Sequence, residues 1–277
     1  MNMLTTTVDG LWVLQVLTGL EVLAPELGLR PHFPSMETKE AALAHPIVAE
    51  LRRADVLGDD DSVDEVIVEW LTVLARREVG LLFYRQLPDS GPEHRLLARF
   101  AQWWVLLQRC GAVVTISGVG TATTEEAAAA LIRSQLQRHW GVEDAAELRP
   151  LTLSSDELLD AVRHAGTPDA VLSIEDIDIE QKSILALAAD SGLSTQSSVV
   201  AIQAGVPGAP AGAYIGAGTV TIIDTPRGRL LLEHVVRDGK NWLVVGPGSN
   251  PGIAWAVMKM MRGLPAQETW HMYRKAV

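Results

Sequence analysis

The sequence predicts an α+β fold in which a central, mainly antiparallel β-sheet is flanked by helices, and two observations carry that prediction. Strand-like runs follow one another without intervening helices, which antiparallel hairpins allow and a doubly wound parallel sheet does not. The order helix, strands, helix then occurs twice along the 277 residues, the mark of an internal quasi-twofold duplication.

The first clear helix is 63–76 (VDEVIVEWLTVLAR), where Val63, Val66, Ile67, Trp70, Val73 and Leu74 recur at helical spacing. Ser62 stands as its N-cap with Glu65 three residues on, a capping-box pattern. Asp59 to Asp61 suit the positive end of the helix dipole. The acidic cluster is therefore a helix start, since the glycine and bidentate glutamate of a calcium loop are missing at the required offsets. Strands follow at 79–86 (VGLLFYRQ), 99–109 (RFAQWWVLLQR) and 112–118 (AVVTISG), then an alanine-rich helix from Thr123 to about His139.

The second pass begins with a helix at 176–190 and continues with strands near 198–204, 213–224, 229–237 and 241–246. A helix from about Pro251 to Arg262 closes it, so this pass holds one more strand than the first. At a constant offset of 128, Arg109-Cys110-Gly111 aligns with Arg237-Asp238-Gly239, a tight-hairpin signal. Gly118-Val119-Gly120 aligns with Gly246-Pro247-Gly248 at the same offset. The expectation is one domain over 1–277, made of half-repeats 1–140 and 150–277. Both faces of 99–109 are apolar, Phe100, Trp104 and Leu106 on one and Trp103, Val105 and Leu107 on the other, so helices or a partner must cover each.

Composition narrows the function. With 48% hydrophobic residues the chain can fill a core, and 23 Lys+Arg against 34 Asp+Glu give a net charge of −11. No basic run offers a footprint on phosphates, which argues against nucleic acid and against anionic membrane. The single Cys110 reads as a small apolar strand residue and supplies neither an internal disulfide nor a cysteine zinc site. Asp9 comes early and the first basic residue is Arg30, so a signal peptide is not expected and the cytoplasm is. The charge-free stretch Ser191 to Ile223 is broken by Pro207, Pro210 and glycines, and reads as two strands and a loop rather than a membrane span.

Catalytic patterns are weak. Gly246-x-Gly248-x-x-x-Gly252 between a strand and a helix resembles a dinucleotide phosphate loop, but it lacks the second parallel strand and the distal acidic residue. A nucleotide-binding enzyme using the Gly246 to Gly252 turn stays as an alternative. The histidines, His32, His45, His94, His139, His164, His234 and His271, show no metal spacing. Asp156 and Asp160, one turn apart, read as a solvated helix face. No catalytic residue, metal or cofactor is expected. Eight tryptophans point to interaction, with Trp12, Trp70 and Trp104 assigned to the core, as is the Met258 to Met261 patch. A homo-oligomeric scaffold is the second alternative.

The run 5–31 (TTTVDGLWVLQVLTGLEVLAPELGLRP) resembles the opening of the EspG family, with Val-Asp-Gly after a strand, an apolar helix start and a Pro-Glu-Leu…Arg-Pro element. Residues 220–235, the turn 246–251 and 264–270 resemble that family's Asp-Thr…Gly-Arg hairpin, Pro-Gly turn and closing Leu-Pro…Trp. The resemblance implies a sheet between two helical bundles with quasi-twofold symmetry. It also implies a cytoplasmic chaperone that binds the hydrophobic tip of the PPE hairpin in a PE/PPE heterodimer, prevents its self-association and directs it to a type VII (ESX) secretion system. Family contacts project by region onto the loop residues Gln86, Leu87, Asp89, Glu93 and His94, the helix residues Asp176, Ile179, Lys182 and Ser183, and the sheet positions Leu231 and Glu233. A homodimer of the free protein is left open.

Overall fold

The computed structural model describes residues 3–86, 92–141, 143–155, 177–205 and 214–272. Strand β1 (Leu4–Thr7) runs directly into α1 (Val8–Thr18), capped by the Thr7 side chain, which accepts from the Gly10 N–H. Short helices α2 (Lys39–Leu43) and α3 (Val48–Arg53) lead to α4 (Glu65–Ala75). The acidic cluster is a helix start, but the cap is Asp64, whose carboxylate accepts from Val66 and Ile67, while Ser62 hydrogen-bonds with Asp60 in the preceding turn. The shorter Asp64 side chain closes the first turn without the reciprocal glutamate.

Four strands follow: β2 (Val79–Gln86), β3 (Glu93–Phe100), β4 (Trp103–Cys110) and β5 (Val113–Thr121). The single strand expected at 99–109 is instead the end of β3, a turn and β4. Ala101 makes that turn with a φ of 53°, and Trp103 pairs back with Phe100. Then come α5 (Glu125–Trp140), β6 (Leu151–Ser154), α6 (Ile179–Ala189), β7 (Thr195–Gln203), β8 (Tyr214–Thr225), β9 (Gly228–Arg237), β10 (Lys240–Pro247) and α7 (Asn250–Arg262). With β3 restored, the two passes hold equal numbers of strands. The charge-free segment supplies β7 and β8, and no described helix is long and apolar enough to cross a membrane.

All ten strands form one sheet in the order β1-β5-β4-β3-β2-β7-β8-β9-β10-β6, antiparallel throughout. Read outward from the central pair β2 and β7, each side repeats the same connectivity. The alignment expected at 128 shifts by one: Cys110 pairs with Val113 as Arg237 pairs with Lys240, an offset of 127. A register break between Trp104 and Val105 changes it again before the helix caps at Thr124 and Ser249, which stand 125 apart. Cys110 sits at this hairpin and is exposed rather than buried.

Helices cover the two faces differently. One face carries α5 and α7, which share a core with Val79, Leu81, Phe83, Trp104, Val199, Val220, Ile222 and Leu231. The Met patch belongs here, with Met258, Met260 and Met261 buried. On the opposite face α1 to α4 pack over β3, β4 and β5 through Leu11, Leu14, Ile67, Leu71, Leu96 and Ile116. There α6 packs over β8 through Ile184, Leu185, Ile223 and Leu230. Each such buried aliphatic contributes about 1.5–3 kcal/mol.

Two buried arginines tie the sides together. Arg229 on β9 donates to the Trp140 carbonyl at the end of α5 (2.7 Å) and pairs with Asp224 (2.5 Å). Arg99 on β3 donates to the Trp270 carbonyl beyond α7 (2.9 Å) and pairs with Glu78 (3.3 Å). Each closing helix is thereby fastened to strands of the other pass.

Candidate partner-binding surface

Residues directly opposite each other in an antiparallel pair point to the same face, so the register maps the sheet surface. Tyr84 stands between His94 and Ser198, and Leu82 between Leu96 and Val200. Val200 continues to Thr219, and Ile202 to Ile215. This row lies on the α4 and α6 face, where Ile202 is buried in the core of α1 to α4 and Leu82 packs against its edge, and the rest of the central strands β2 and β7 forms the floor of a furrow between that core and α6. Tyr84 is 38% exposed and Ile215 62% exposed, while Leu82, Val200, Ser198 and His94 are half-buried. The floor thus presents apolar and aromatic side chains to solvent, as interaction surfaces do. At its loop end the Tyr84 ring meets His94 edge-on (centroids 5.3 Å apart), and the Tyr84 hydroxyl donates to Gln86 Oε1 (2.8 Å).

The structure gathers some of the projected residues here. Gln86 and His94 lie together where β2 ends and β3 begins, whereas Glu93, directly opposite Arg85, lies on the α5 face. Ile179, 87% exposed, and Ser183, exposed, project from α6, with Lys182 half-buried between them. The neighbouring Glu180 pairs with Arg227 (2.8 Å) in the turn between β8 and β9, at the same end of the sheet as the β2–β3 connection. Leu87, Asp89 and Asp176 lie outside the described residues. The two sheet positions do not join the furrow. Leu231 is buried beneath α7, and Glu233, on that same opposite face, pairs with Lys259 (3.1 Å). Strand alternation places both on the α7 face.

Behind the loop end of the furrow, Arg85 and Arg95 point to the α5 face. There they meet His139, which is packed against Phe83. Burial, together with Arg95, Arg138 and Arg85, pushes His139 down to about 3, so the ring is neutral near pH 7. Arg95 hydrogen-bonds with Nδ1 of His139 and pairs with Glu93 (2.9 Å). Burial pulls Arg95 below the ordinary guanidinium value, Arg85 acts in the same direction, and Glu93 opposes them.

The glycine turn offers no dinucleotide loop. β10 is antiparallel to both neighbours, the Gly248 N–H donates to the Arg229 carbonyl (2.7 Å), and the Gly252 N–H donates to Ser249 Oγ (3.2 Å). The N–H groups that would cradle a phosphate are engaged, and the βαβ unit is missing. Among the described residues no group of His, Cys, Asp and Glu is arranged to hold a metal ion. Of the tryptophans, Trp70 and Trp104 are buried as expected, Trp12 is half-buried, and Trp103 and Trp255 are exposed.

A family model described as the EspG family matches residues 7–259. The chain is 45% identical over 276 residues to the ESX-2 secretion-associated protein EspG2 of Mycobacterium tuberculosis (strain H37Rv), covering 99% of this chain and 100% of that protein. It is 27% identical over 293 residues to the ESX-5 secretion-associated protein EspG5 of Mycobacterium marinum, covering 96% and 95%. Among solved structures, the Mycobacterium tuberculosis type VII secretion system chaperone EspG5 in complex with the PE25-PPE41 dimer has the same fold, with a TM-score of 0.75 and 22% identity over 98% of this chain and 100% of that one.

Proposed function

The chain belongs to the EspG family, and on that premise we propose that it is a type VII (ESX) secretion chaperone that binds a PE/PPE heterodimer by the hydrophobic tip of the PPE hairpin. The observation that carries the reading is the furrow. A helical hairpin tip is narrow and apolar, and a strand floor bearing Tyr84, Leu82, Val200 and Ile215 between two helical walls matches it in shape and polarity. Gln86 and His94 close one end of the floor, where Tyr84 fixes the Gln86 amide by a hydrogen bond, and Ile179 and Ser183 extend the contact onto α6. The work required is masking: an apolar tip covered by the furrow no longer self-associates, and the covered heterodimer is delivered to its secretion system from the cytoplasm. Neither ATP nor a catalytic group is needed for such an exchange of surfaces.

The test is co-expression with the PE/PPE pair encoded nearest to this protein, followed by size-exclusion chromatography with light scattering. A 1:1:1 complex is expected, with Tyr84→Ala and Ile215→Ser each shifting material into free chaperone. Separate elution from every PE/PPE pair tried overturns the reading. The same chromatogram of the free protein reports whether it dimerises.

A further inference from the structure

Arg85 and Arg95 occupy neighbouring strands directly behind the loop end of the furrow, alternating with Tyr84, Gln86 and His94 along β2 and β3. Their hydrogen bonds leave a surplus of donors. Arg95 gives one terminal nitrogen to Glu93 (2.9 Å) and another to Nδ1 of His139. A guanidinium only donates, so Nδ1 accepts and the His139 proton sits on Nε2. Arg85 reaches the His139 carbonyl at 3.5 Å. The N–H groups at Arg85 Nε, Arg95 Nε and His139 Nε2 are buried and have no acceptor among the described residues. Among the described residues two guanidinium charges therefore face one carboxylate and a neutral ring, in a chain whose net charge is −11. Buried cations and donors are ordinarily matched by acceptors, and neighbouring guanidiniums left short of counter-charge are what an anion site looks like before its ligand arrives.

We infer that Arg85 and Arg95, with His139 positioning Arg95 through Nδ1, form a binding site for an oxyanion, a carboxylate or phosphate held by the two guanidiniums. Bidentate geometry suits this ligand class, because the guanidinium fork matches two oxygens at once. Two sources carry the same chemistry. One is an acidic side chain of the bound partner, which rests on the proposed function; the other is a free inorganic anion.

Thermal unfolding of the full chain in phosphate and in chloride at equal ionic strength tests the site. A one-site ligand at ten times its Kd raises the folded-to-unfolded ratio about 11-fold. Phosphate also stabilises proteins generally by exclusion, so the readout is the wild-type response minus that of Arg85→Met. The wild type is expected to gain more from phosphate than the variant does. In chloride the variant is expected to melt no lower than wild type, because it sheds surplus charge, whereas a purely structural Arg85 would lower the melting temperature. Should Arg85→Met not fold, Arg95→Gln is read by the same difference. Calorimetric titration with a PE/PPE pair separates the sources. A loss of about tenfold in the variant, reproduced in wild type by added phosphate, assigns the site to a partner carboxylate. Unchanged affinity beside a wild-type-specific phosphate response assigns it to a free anion. Equal phosphate responses in both proteins, with unchanged partner affinity, overturn the proposal. If no PE/PPE pair binds wild type, the proposed function falls and the phosphate comparison alone decides the site.

Discussion

Replacing Arg229 by methionine should loosen the joint between the two sets of strands by an amount the structure allows to be worked out. The Arg229 side chain is 0% exposed and holds Asp224 through two contacts, Nε to Oδ1 at 2.5 Å and Nη2 to Oδ2 at 3.1 Å. The same Nη2 donates to the Trp140 carbonyl at 2.7 Å, and Nη1 reaches the Gly141 carbonyl at 3.4 Å. Methionine keeps the aliphatic stem but strands a carboxylate and a buried carbonyl, and removing one partner of a buried pair costs about 3–5 kcal/mol. For a chain of this size each kcal/mol lowers the melting temperature by roughly 2–4 °C, so a fall of roughly 6–20 °C is expected in far-UV dichroism. The double variant Arg229→Met/Asp224→Leu should recover most of that loss, because apolar replacement of both partners is close to neutral. A single variant melting within about 2 °C of wild type would refute the argument.

Three further outcomes follow from the same geometry. Tyr84→Ala on the exposed furrow floor should weaken PE/PPE binding by about 1–2 kcal/mol in calorimetry while leaving the melting temperature almost unchanged. Gly118→Ala should cost about 1–3 kcal/mol in urea unfolding, since its Cβ would stand 2.8 Å from Nε1 of Trp70, whose ring is held in the core. Stability should fall as pH drops below 6.5, because the unfolded state takes up a proton at His139 that the folded state refuses until about 3. Glu37 adds to this at lower pH. Burial opposes its ionisation, but hydrogen bonds from His32 and the Phe33 N–H, with Arg30 paired to it, hold it at about 2, so its contribution is lost between 4.5 and 2. Urea midpoints across pH should show His139→Gln flattening the upper part of the decline and Glu37→Gln the lower.

The sheet was legible where turn chemistry and apolar runs agree. Arg-x-Gly hairpins read correctly because Gly111 and Gly239 adopt the left-handed conformation those turns need, with φ of 59° and 72°. Strand β3 was not legible, since Glu93-His94-Arg95 looks like loop and Arg99 looks exposed. In the fold, Glu93 and Arg95 pair with each other, and Arg99 is buried against Trp270 and Glu78. Long-range pairing of charged residues leaves no local periodicity to read. The constant offset drifted for a related reason, a register break in β4 and β5 that no residue pattern announces. At the proposed furrow, the projection by region includes Gln86 and His94 of the loop end, while Tyr84, Val200 and Ile215 are not among the projected positions. Only the knowledge that β2 and β7 are neighbours puts these three on one floor. Leu231 failed for the complementary reason, its face being set by a register invisible from sequence.

The reciprocal fastening of the closing helices accounts for why one face of the central strands is sealed and the other serves as a floor. Trp140 packs on Phe83 while its carbonyl is held by Arg229, and Trp270 packs on Trp104 while its carbonyl is held by Arg99. Both helices therefore cross the β2 and β7 line on one face and share the core that Val199, Val220 and Leu81 contribute there. Detaching either set of strands exposes that common core, so the two sets should unfold together. The furrow floor on the opposite face is braced by helices that take no part in it, and a braced surface loses little conformational freedom when a partner docks. Because successive strand residues alternate between faces, Tyr84 and Leu82 can vary with the partner while Phe83 and Leu81 stay fixed in the core. On the proposed function, partner contact and stability thus fall on alternate residues of the same strand.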